Sequence, residues 1–448
     1  MKTLALFLGL TTVLFSFSKL YAQKVNADTL IYTVEDCIQY ALENHLDIKN
    51  TKIDEKVNQQ KVYQVRATGL PQINGEAQYQ YFAEIPTTLI PNFFGGRPNE
   101  YIPVQFGVPH NWSAGVTASQ LIFSGSYIIG LQAAKTVAEL SRKNTKRQEA
   151  EVRAAVQKAF YTALLTQENI KLIEVNLIRL DSTLRTLIEL QKAGYADKIA
   201  VDRIQVAKNN LEIERKKLQN AAALTLNLLK FQMGMEINTP LKIKGTLNLE
   251  NTPSIPLSEK PDYTQRPEYQ LLQTQIKLSQ LSLKAVRAEY LPTLASFVSA
   301  STSGPNQKFY FFNYDQRWFP AVIIGARINI PIFDGFGKYA RANQAKLEKQ
   351  KAENSLLRFT QAAELEVANA RTNYLNALST LEIQKKNVEL AQEVYNTTQI
   401  KNASGKASYL EITDAENALK TAQINYYNAQ YDAIMAKIDY LKAVGKLN

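Results

Sequence analysis

The feature that most limits the fold of this 448-residue chain is an internal repeat, because the second half follows the plan of the first. The matching positions are Asp47 with Glu268, Leu70-Pro71 with Leu291-Pro292, Phe123 with Phe333, Gly194 with Gly405, and Gly234 with Gly445. The first two matches are 221 residues apart (268−47, 291−70), and the last three are 210 or 211 apart (333−123, 405−194, 445−234). Solenoid repeats are only about 20 to 50 residues long. A repeat unit of this much greater length indicates a gene duplication and a pseudo-symmetric molecule.

The N-terminus has the three parts of a secretory signal. Lys2 supplies a positive charge, residues 3–17 are apolar, and Leu20-Tyr21-Ala22 provides a cleavage site with a small last residue. Residues 1–22 are therefore predicted to be removed. The alternative is a membrane anchor, but a spanning helix needs about 20 apolar residues, and this stretch is shorter. No later segment is as long and apolar, so we expect no transmembrane helix.

Residues that carry enzyme chemistry are scarce. The chain has one cysteine, Cys37, and two histidines, His45 and His110, so no motif for a transition metal is present. A glycine-rich phosphate loop and a G-x-S-x-G motif are also missing from the sequence. The formal charge of +11 comes from basic residues interspersed with acidic ones, a pattern typical of solvated helix faces. We predict no enzyme activity, no cofactor, no metal and no nucleic-acid partner.

Long helices dominate both halves. The predicted ones are Ser126 to Ala193, Asp197 to Met233, Lys338 to Ala403, and Tyr409 to Val444, with breaks at Gly194 and Gly405. Two of them carry the apolar spacing of a coiled-coil seam. The seam residues are Val152, Val156, Ala159, Ala163, Ile170, Ile173, Leu177, Leu180, Leu184 and Leu187, then Ala415, Leu419, Ala422, Tyr426, Ala429, Ala433, Ala436 and Tyr440. At 1.5 Å per residue, helices of about 65 residues reach on the order of 100 Å. A capping box of Thr33 and Asp36 predicts a shorter helix that runs to about Val65.

Each half also contains two segments in which apolar and polar residues alternate, as in outer-membrane barrel strands. The apolar positions are Ile73, Gly75, Ala77, Tyr79 and Tyr81; Trp112, Ala114, Val116 and Ala118; Leu294, Val298 and Ala300; and Val322, Ile324, Ala326, Ile328 and Ile330. A soluble sheet with one wet face would show the same alternation. Four strands cannot close a barrel, and an open edge is not tolerated in lipid. The membrane interpretation therefore requires several copies to share one wall.

Aromatic residues crowd the loops and ends of these strands, which suits the interfaces of a membrane. They are Tyr81, Phe82, Phe93, Phe94, Tyr101, Phe106 and Trp112, then Tyr310, Phe311, Phe312, Tyr314, Trp318 and Phe319. The first group surrounds a segment from Pro86 to His110 that is rich in proline and glycine. We predict that this segment is an extracellular loop.

Several short sequences occur in an order that resembles the TolC-type outer-membrane efflux family, over essentially the whole mature chain. They are Tyr32 to Cys37 leading into Ala41 to Asn44, a Leu-Pro pair before the strands of each half, Arg266 to Tyr269, Pro331 to Gly335, and Gly405 to Glu411. Each is weak alone. Their order and duplication, together with the signal sequence, make a strong match.

This resemblance implies an α+β, mainly α fold. Three chains would each give four strands to one outer-membrane β-barrel, continuous with a long periplasmic α-helical coiled-coil barrel. The homotrimer would contact outer-membrane lipid, a periplasmic adaptor, and an inner-membrane efflux pump or ABC transporter. The implied function is a passive exit duct for small molecules, ions or proteins. The alternative is a structural or adhesive periplasmic coiled-coil protein without a pore; an adaptor would have only one helical hairpin.

The resemblance also implies where functional residues lie. Family members carry acidic rings at the periplasmic entrance, six and nine residues after the second glycine break, which gives Glu411 and Asp414 here. Threefold symmetry would gather these carboxylates on the axis, an arrangement that favours cations. The alternative is that they are ordinary solvated residues near a helix N-terminus. The tips at Gly194 and Gly405 would dock the adaptor.

The residue patterns leave open how the entrance closes and which residues line the barrel. The positions that latch the entrance in the best-known relative are Asn402 and Ala407 here, so the chemistry of closure is left open. Glu76 and Arg327 are candidates for the barrel lumen; they could instead lie at barrel ends or pair across the wall. The predicted division is a signal at 1–22, a first repeat at 23–236, an equatorial linker at 237–265, and a second repeat at 266–448.

Overall fold

The computed structural model describes residues 30–92, 101–248, 263–310, 314 and 316–447. The predicted signal, part of the predicted linker, and Phe93, Phe94, Phe311 and Phe312 lie outside the described residues. The helices are α1 Val34–Asn44, α2 Leu46–Ala67, α3 Gly125–Lys192, α4 Lys198–Met233, α5 Pro267–Ala288, α6 Gly337–Ala403 and α7 Tyr409–Ala443. The strands are β1 Leu30–Tyr32, β2 Gln72–Tyr81, β3 Thr87–Pro91, β4 Tyr101–Gln105, β5 His110–Phe123, β6 Leu241–Ile243, β7 Thr293–Asn306 and β8 Phe319–Asn329. The fold is mainly helical, as predicted.

The four long helices begin and end within about two residues of their predicted bounds. α3 has 68 residues and α6 has 67, so each is on the order of 100 Å long. Nine of the ten predicted seam residues of α3 are buried, and Ile170 is half-buried. On α7, five of the eight predicted seam residues are buried, and Ala422, Tyr426 and Ala436 are half-buried. The apolar spacing therefore identifies the packed faces of both helices.

The prediction of one continuous first helix was wrong, because the helix is broken at His45 into α1 and α2. Its start is confirmed, since Thr33 and Asp36 form the predicted capping box. His45 has an extended backbone, with φ −60° and ψ 129°, and its Nδ1 accepts a hydrogen bond from the Asp47 N–H at 3.2 Å. The break lies against Gly234, where a Cβ would come within 2.8 Å of the His45 Cα. The break between α1 and α2 therefore lies where the end of α4 packs closely against His45.

The largest apolar core of the described residues joins α1, α2, α3, α4, β6 and α7. Cys37 and Ala41 of α1 are fully buried there against α3, and burial raises the pKa of the Cys37 thiol to about 12. The thiol is thus neutral and acts as a small apolar side chain. β1 pairs in parallel with β6, and Leu241, Ile243 and Leu247 are buried. The start of the predicted linker is therefore fastened to the helices by this two-stranded sheet.

The four predicted strands form one antiparallel sheet in the order β2-β5-β7-β8. The register places Ile73, Ala118, Val298 and Ile324 in one row across all four strands. Because side chains alternate along a strand, the predicted apolar positions share one face, and the polar positions share the other. β3 and β4 form a separate hairpin, so the segment from Pro86 to His110 contains regular structure that was not predicted. In the described part of the chain, none of the helices meets the length and hydropathy needed to span a bilayer.

Candidate functional site

Two hairpin tips lie at the ends of the long helices, and a glycine shapes each one. Gly194 has φ +79° and Gly405 has φ +71°, the left-handed region that side chains rarely adopt. The turns are closed by hydrogen bonds of 2.8 Å from the Tyr195 N–H to the Leu190 carbonyl and from the Lys406 N–H to the Lys401 carbonyl. A Cβ at either glycine would meet no atom within 4 Å. Glycine is needed here for backbone conformation and not for close packing.

Glu411 and Asp414 are both exposed on the first turns of α7. Ser408 caps this helix, since its Oγ accepts a hydrogen bond from the Glu411 N–H at 3.3 Å. The Ser408 hydroxyl also donates to Glu411 Oε1 at 3.4 Å, which holds that carboxylate close to the helix end. Neither acidic residue takes part in an ion pair among the described residues. Ala200 and Arg203 occupy the corresponding positions after Gly194 and carry no matching negative charge.

Asn402 and Ala407, whose role the sequence left open, contact each other. The Asn402 side chain donates a hydrogen bond of 2.7 Å from Nδ2 to the Ala407 carbonyl oxygen. This bond spans the turn around Gly405 and ties the end of α6 to the start of α7. Both positions therefore bond to each other within one tip. The pairing could not be predicted from the residue pattern, because it depends on the folded turn.

The tips also expose large apolar side chains that the sequence reasoning missed. Tyr195 is 84% exposed and Ile400 is 71% exposed, and Ile199 and Leu410 are exposed beside them. All four lie within six residues of a glycine break. Single exposed apolar residues are common on soluble proteins, so what distinguishes these four is their position at the ends of the two hairpins.

The polar face of the four-stranded sheet holds both candidate lumen residues. Glu76 lies in the row of Gly115 and Ser301, and Arg327 pairs with Ala295. The two rows are six residues apart along β7, or about 20 Å, so the two side chains do not pair within one chain. Glu76 lies in the middle of β2, whereas Arg327 is near the helix-side end of β8.

Aromatic side chains cluster at the other end of the sheet. Tyr79 and Trp112 lie opposite each other with ring centroids 4.3 Å apart, and Phe309 covers both. The Tyr79 hydroxyl and His110 Nδ1 are 2.7 Å apart, within hydrogen-bond distance. Tyr79 and Trp112 belong to the apolar face by the register of the strands. Aromatic rings at the end of an apolar face are typical of membrane–water interfaces.

The chain matches the family model described as outer membrane efflux protein over residues 37–234 and 264–446. It is 23% identical over 343 residues to the probable efflux pump outer membrane protein TtgC of Pseudomonas putida, covering 76% of this chain and 70% of that protein. It is also 23% identical over 334 residues to the alkaline protease secretion protein AprF of Pseudomonas aeruginosa, covering 69% and 63%. A crystal structure of CusC matches the fold with a TM-score of 0.72 at 18% identity, covering 92% of both chains. The resemblance inferred from the sequence is confirmed: the chain belongs to the outer membrane efflux protein family.

Proposed function

We propose that this outer-membrane efflux protein is a passive exit duct in which three copies build one continuous wall. The observation that carries the proposal is the four-stranded sheet, which has an apolar face and two outer strands, β2 and β8. Neither outer strand pairs on its second edge with any described strand. Lipid offers no hydrogen bonds to a free edge, so such a sheet needs a partner strand on each side. Pairing β8 of one copy with β2 of the next supplies both, and three copies give a closed barrel.

Exposed apolar residues on the long helices support the same assembly. On α4, the exposed residues Ile199, Val206 and Ile213 are one heptad apart. On α6, Ile383 and Leu390 are exposed with the same spacing. A heptad of apolar residues is the pattern of a coiled-coil seam that a second helix covers. We infer that neighbouring copies cover these seams, so that the helices continue the barrel as a periplasmic tube.

The proposed organisation of the chain is a first repeat at 23–236, a linker at 237–265 and a second repeat at 266–448. Matched element lengths support it: α2 and α5 each have 22 residues, α3 and α6 have 68 and 67, and α4 and α7 have 36 and 35. Because each of three copies contributes two similar halves, the tube would have pseudo-sixfold symmetry. The tips at Gly194 and Gly405 then lie together at its far end.

The partners proposed for these tips are a periplasmic adaptor and, through it, an inner-membrane efflux pump or ABC transporter. Exposed Tyr195, Ile199, Ile400 and Leu410 offer the apolar contact area that such docking requires. TtgC is named for an efflux pump and AprF for protease secretion. Both small molecules and proteins are therefore proposed classes of cargo. The alternative, a structural protein without a pore, does not require a sheet with one apolar face and two unpaired edges.

Disulfide trapping tests the shared wall. Cysteine pairs placed along β2 and β8, beginning with Asn74→Cys and Ile323→Cys on the polar face, are expected to give covalent dimers and trimers in outer-membrane fractions. The register between copies decides which pair reacts best, so neighbouring positions are scanned. Each single-cysteine variant is the matched control and should remain uncrosslinked, because Cys37 is fully buried. A protein that is released by osmotic shock, or that gives no product for any pair, would contradict the proposal.

A second prediction concerns Glu411 and Asp414 as the acidic ring of the entrance. Replacing them with glutamine and asparagine should lower the preference of the channel for cations over anions several-fold in planar bilayers, because it removes the negative charges nearest the axis. Block by trivalent cations should weaken as well. Asp202→Asn removes a similar exposed charge eight residues after Gly194 and should leave selectivity unchanged. Unaltered selectivity in the double variant would place both carboxylates away from the pore.

A further inference from the structure

A small polar pocket lies on the seam between the two helical hairpins of one chain. Its volume is about 230 Å³, and residues of α3, α4 and α7 line it. Its polar lining includes Asn176, Glu214, Glu416 and Lys420. The pocket is separate from the exposed Glu411 and Asp414, because Glu416 lies on the packed face of α7. The side chains that line the pocket therefore affect how tightly α7 packs against α3 and α4.

Two buried oxygen atoms of this pocket accept no hydrogen bond from any described residue. Asn176 is 2% exposed; its Nδ2 donates to the Leu172 carbonyl at 2.9 Å, while its Oδ1 has no partner among the described residues. Glu416 is 6% exposed, and its Oε1 is likewise unpaired in the described part of the chain. Burying an acceptor without a donor is unfavourable. An ionised carboxylate offers only acceptors, whereas a protonated one becomes a donor.

The charged groups around Glu416 do not satisfy it directly. Arg179 of α3 lies over the ring of Tyr395 from α6, 5.4 Å from its centroid, and its Nη1 is buried without a hydrogen bond in the described residues. Glu214 of α4 also lines the pocket, and Lys420 lies one turn along α7. No ion pair of the described residues includes Glu416. Burial raises the pKa of Glu416, and the positive charges of Arg179 and Lys420 only partly oppose this rise.

We propose that Glu416 is a proton-binding site that controls the packing of α7 against α3 and α4. With the proton bound, the neutral carboxyl supplies the donor that the pocket lacks, and the seam stays closed. Without the proton, a buried carboxylate shares the pocket with the unpaired oxygen of Asn176. The second hairpin then loosens so that Glu416 reaches water or the free Nη1 of Arg179.

The direction of the pH effect follows from the raised pKa. The closed seam binds the proton more tightly than an open one does. Its extra stability is complete below the ordinary carboxyl pKa of about 4.3 and is lost as the pH rises through the raised value. Tyr395, whose own pKa is raised by burial and by the Glu416 charge, titrates far above this range and stays neutral. Loosening at higher pH is therefore assigned to Glu416.

Hydrogen–deuterium exchange of the intact protein in detergent tests the proposal. Protection factors, corrected for the chemical exchange rate, are measured for peptides covering residues 172–180 and 409–420 at about pH 5 and about pH 8. We expect the wild type to lose about tenfold protection at the higher pH, because the closed seam is weaker once Glu416 has lost its proton. Glu416→Gln keeps a donor and an acceptor and should hold the low-pH protection at both values. Asp432→Asn, an exposed charge removal on the same helix, should behave as the wild type.

Equal wild-type protection at both pH values overturns the proposal, whatever the variants do. A Glu416→Gln protein that keeps the wild-type pH dependence overturns it as well. Asn176→Asp provides an independent arm, because it adds a second carboxylate beside Glu416. This variant also loses the donor to the Leu172 carbonyl, so it should be less protected than the wild type, and most of all at about pH 8. Identical behaviour to the wild type at the higher pH would count against a shared pocket.

Discussion

Alanine at position 234 is expected to destabilise the folded protein by about 2 to 5 kcal/mol, because it combines backbone strain with overpacking. Gly234 ends α4 with φ 70°, a conformation that costs other residues about 1 to 2 kcal/mol. A Cβ there would lie 2.8 Å from the His45 Cα and 3.0 Å from the Asn44 carbonyl oxygen. Both are backbone atoms, so no rotamer change relieves the overlap. The contact between the end of α4 and the junction of α1 and α2 would have to open.

Three other glycines serve as graded controls for this prediction. Gly445 has φ +72°, and a Cβ there would lie 3.0 Å from the Arg266 Cγ, a longer contact than the 2.8 Å one at Gly234. Gly194 and Gly405 have open space around them and would suffer only the backbone strain of about 1 to 2 kcal/mol. The expected order of destabilisation is therefore Gly234→Ala first, then Gly445→Ala, then the two tip variants.

Thermal unfolding of the detergent-solubilised protein, followed by far-ultraviolet circular dichroism at one scan rate, would measure this order. A fixed scan rate is needed because oligomeric proteins often unfold irreversibly. If Gly234→Ala lowered the midpoint no more than Gly194→Ala does, the close approach of α4 to His45 would not limit stability. The same series compares the two halves, since Gly234 and Gly445 are matched positions of the sequence repeat.

Periodic signals explain why most elements were predictable from the sequence. The seam of α3 and the alternation in β2, β5 and β8 depend on residues close in sequence, and each predicts both an element and its packed face. The break at His45, the pairing of β1 with β6 and the β3–β4 hairpin were missed. They depend on contacts with distant segments or on short strands without a clear alternation.

The candidate site was predictable only in part, for the same reason. The glycine breaks were visible in the sequence because a glycine interrupts a long helical pattern and repeats in the other half. Glu411 and Asp414 were found through resemblance, and their exposure in one chain is what either a pore ring or a solvated helix end requires. Glu416 carried no signal, since an acidic residue on a helix is ordinary until three helices bury it. The hydrogen bond between Asn402 and Ala407 likewise exists only in the folded turn.

Arg266 joins the start of the second predicted repeat to its end. It caps α5 ahead of Pro267, is 4% exposed, and lies against the last turn of α7. Its Nη1 donates to Glu366 Oε2 at 2.8 Å and to the Ala443 carbonyl at 3.3 Å, and its Nε donates to Glu268 at 3.4 Å. Burial alone would lower the pKa of Arg266, but the two glutamates more than offset this and raise it. The guanidinium also lies over the ring of Phe359, 5.2 Å from its centroid.

Arg266→Ala is therefore expected to cost roughly 2 to 4 kcal/mol of stability, since it leaves the Ala443 carbonyl unpaired and removes packing from Phe359. The loss of ion pairing adds less, because the side chains of Glu366 and Glu268 are 46% and 25% exposed and can return to water. Glu366→Gln is the matched control and should cost less than about 1 kcal/mol, since Arg266 keeps its other acceptors. The same unfolding assay, with exchange at the end of α7 as a local readout, distinguishes the two variants. Comparable losses from both would mean that the exposed ion pair, and not the buried carbonyl and ring, holds α7 to α5.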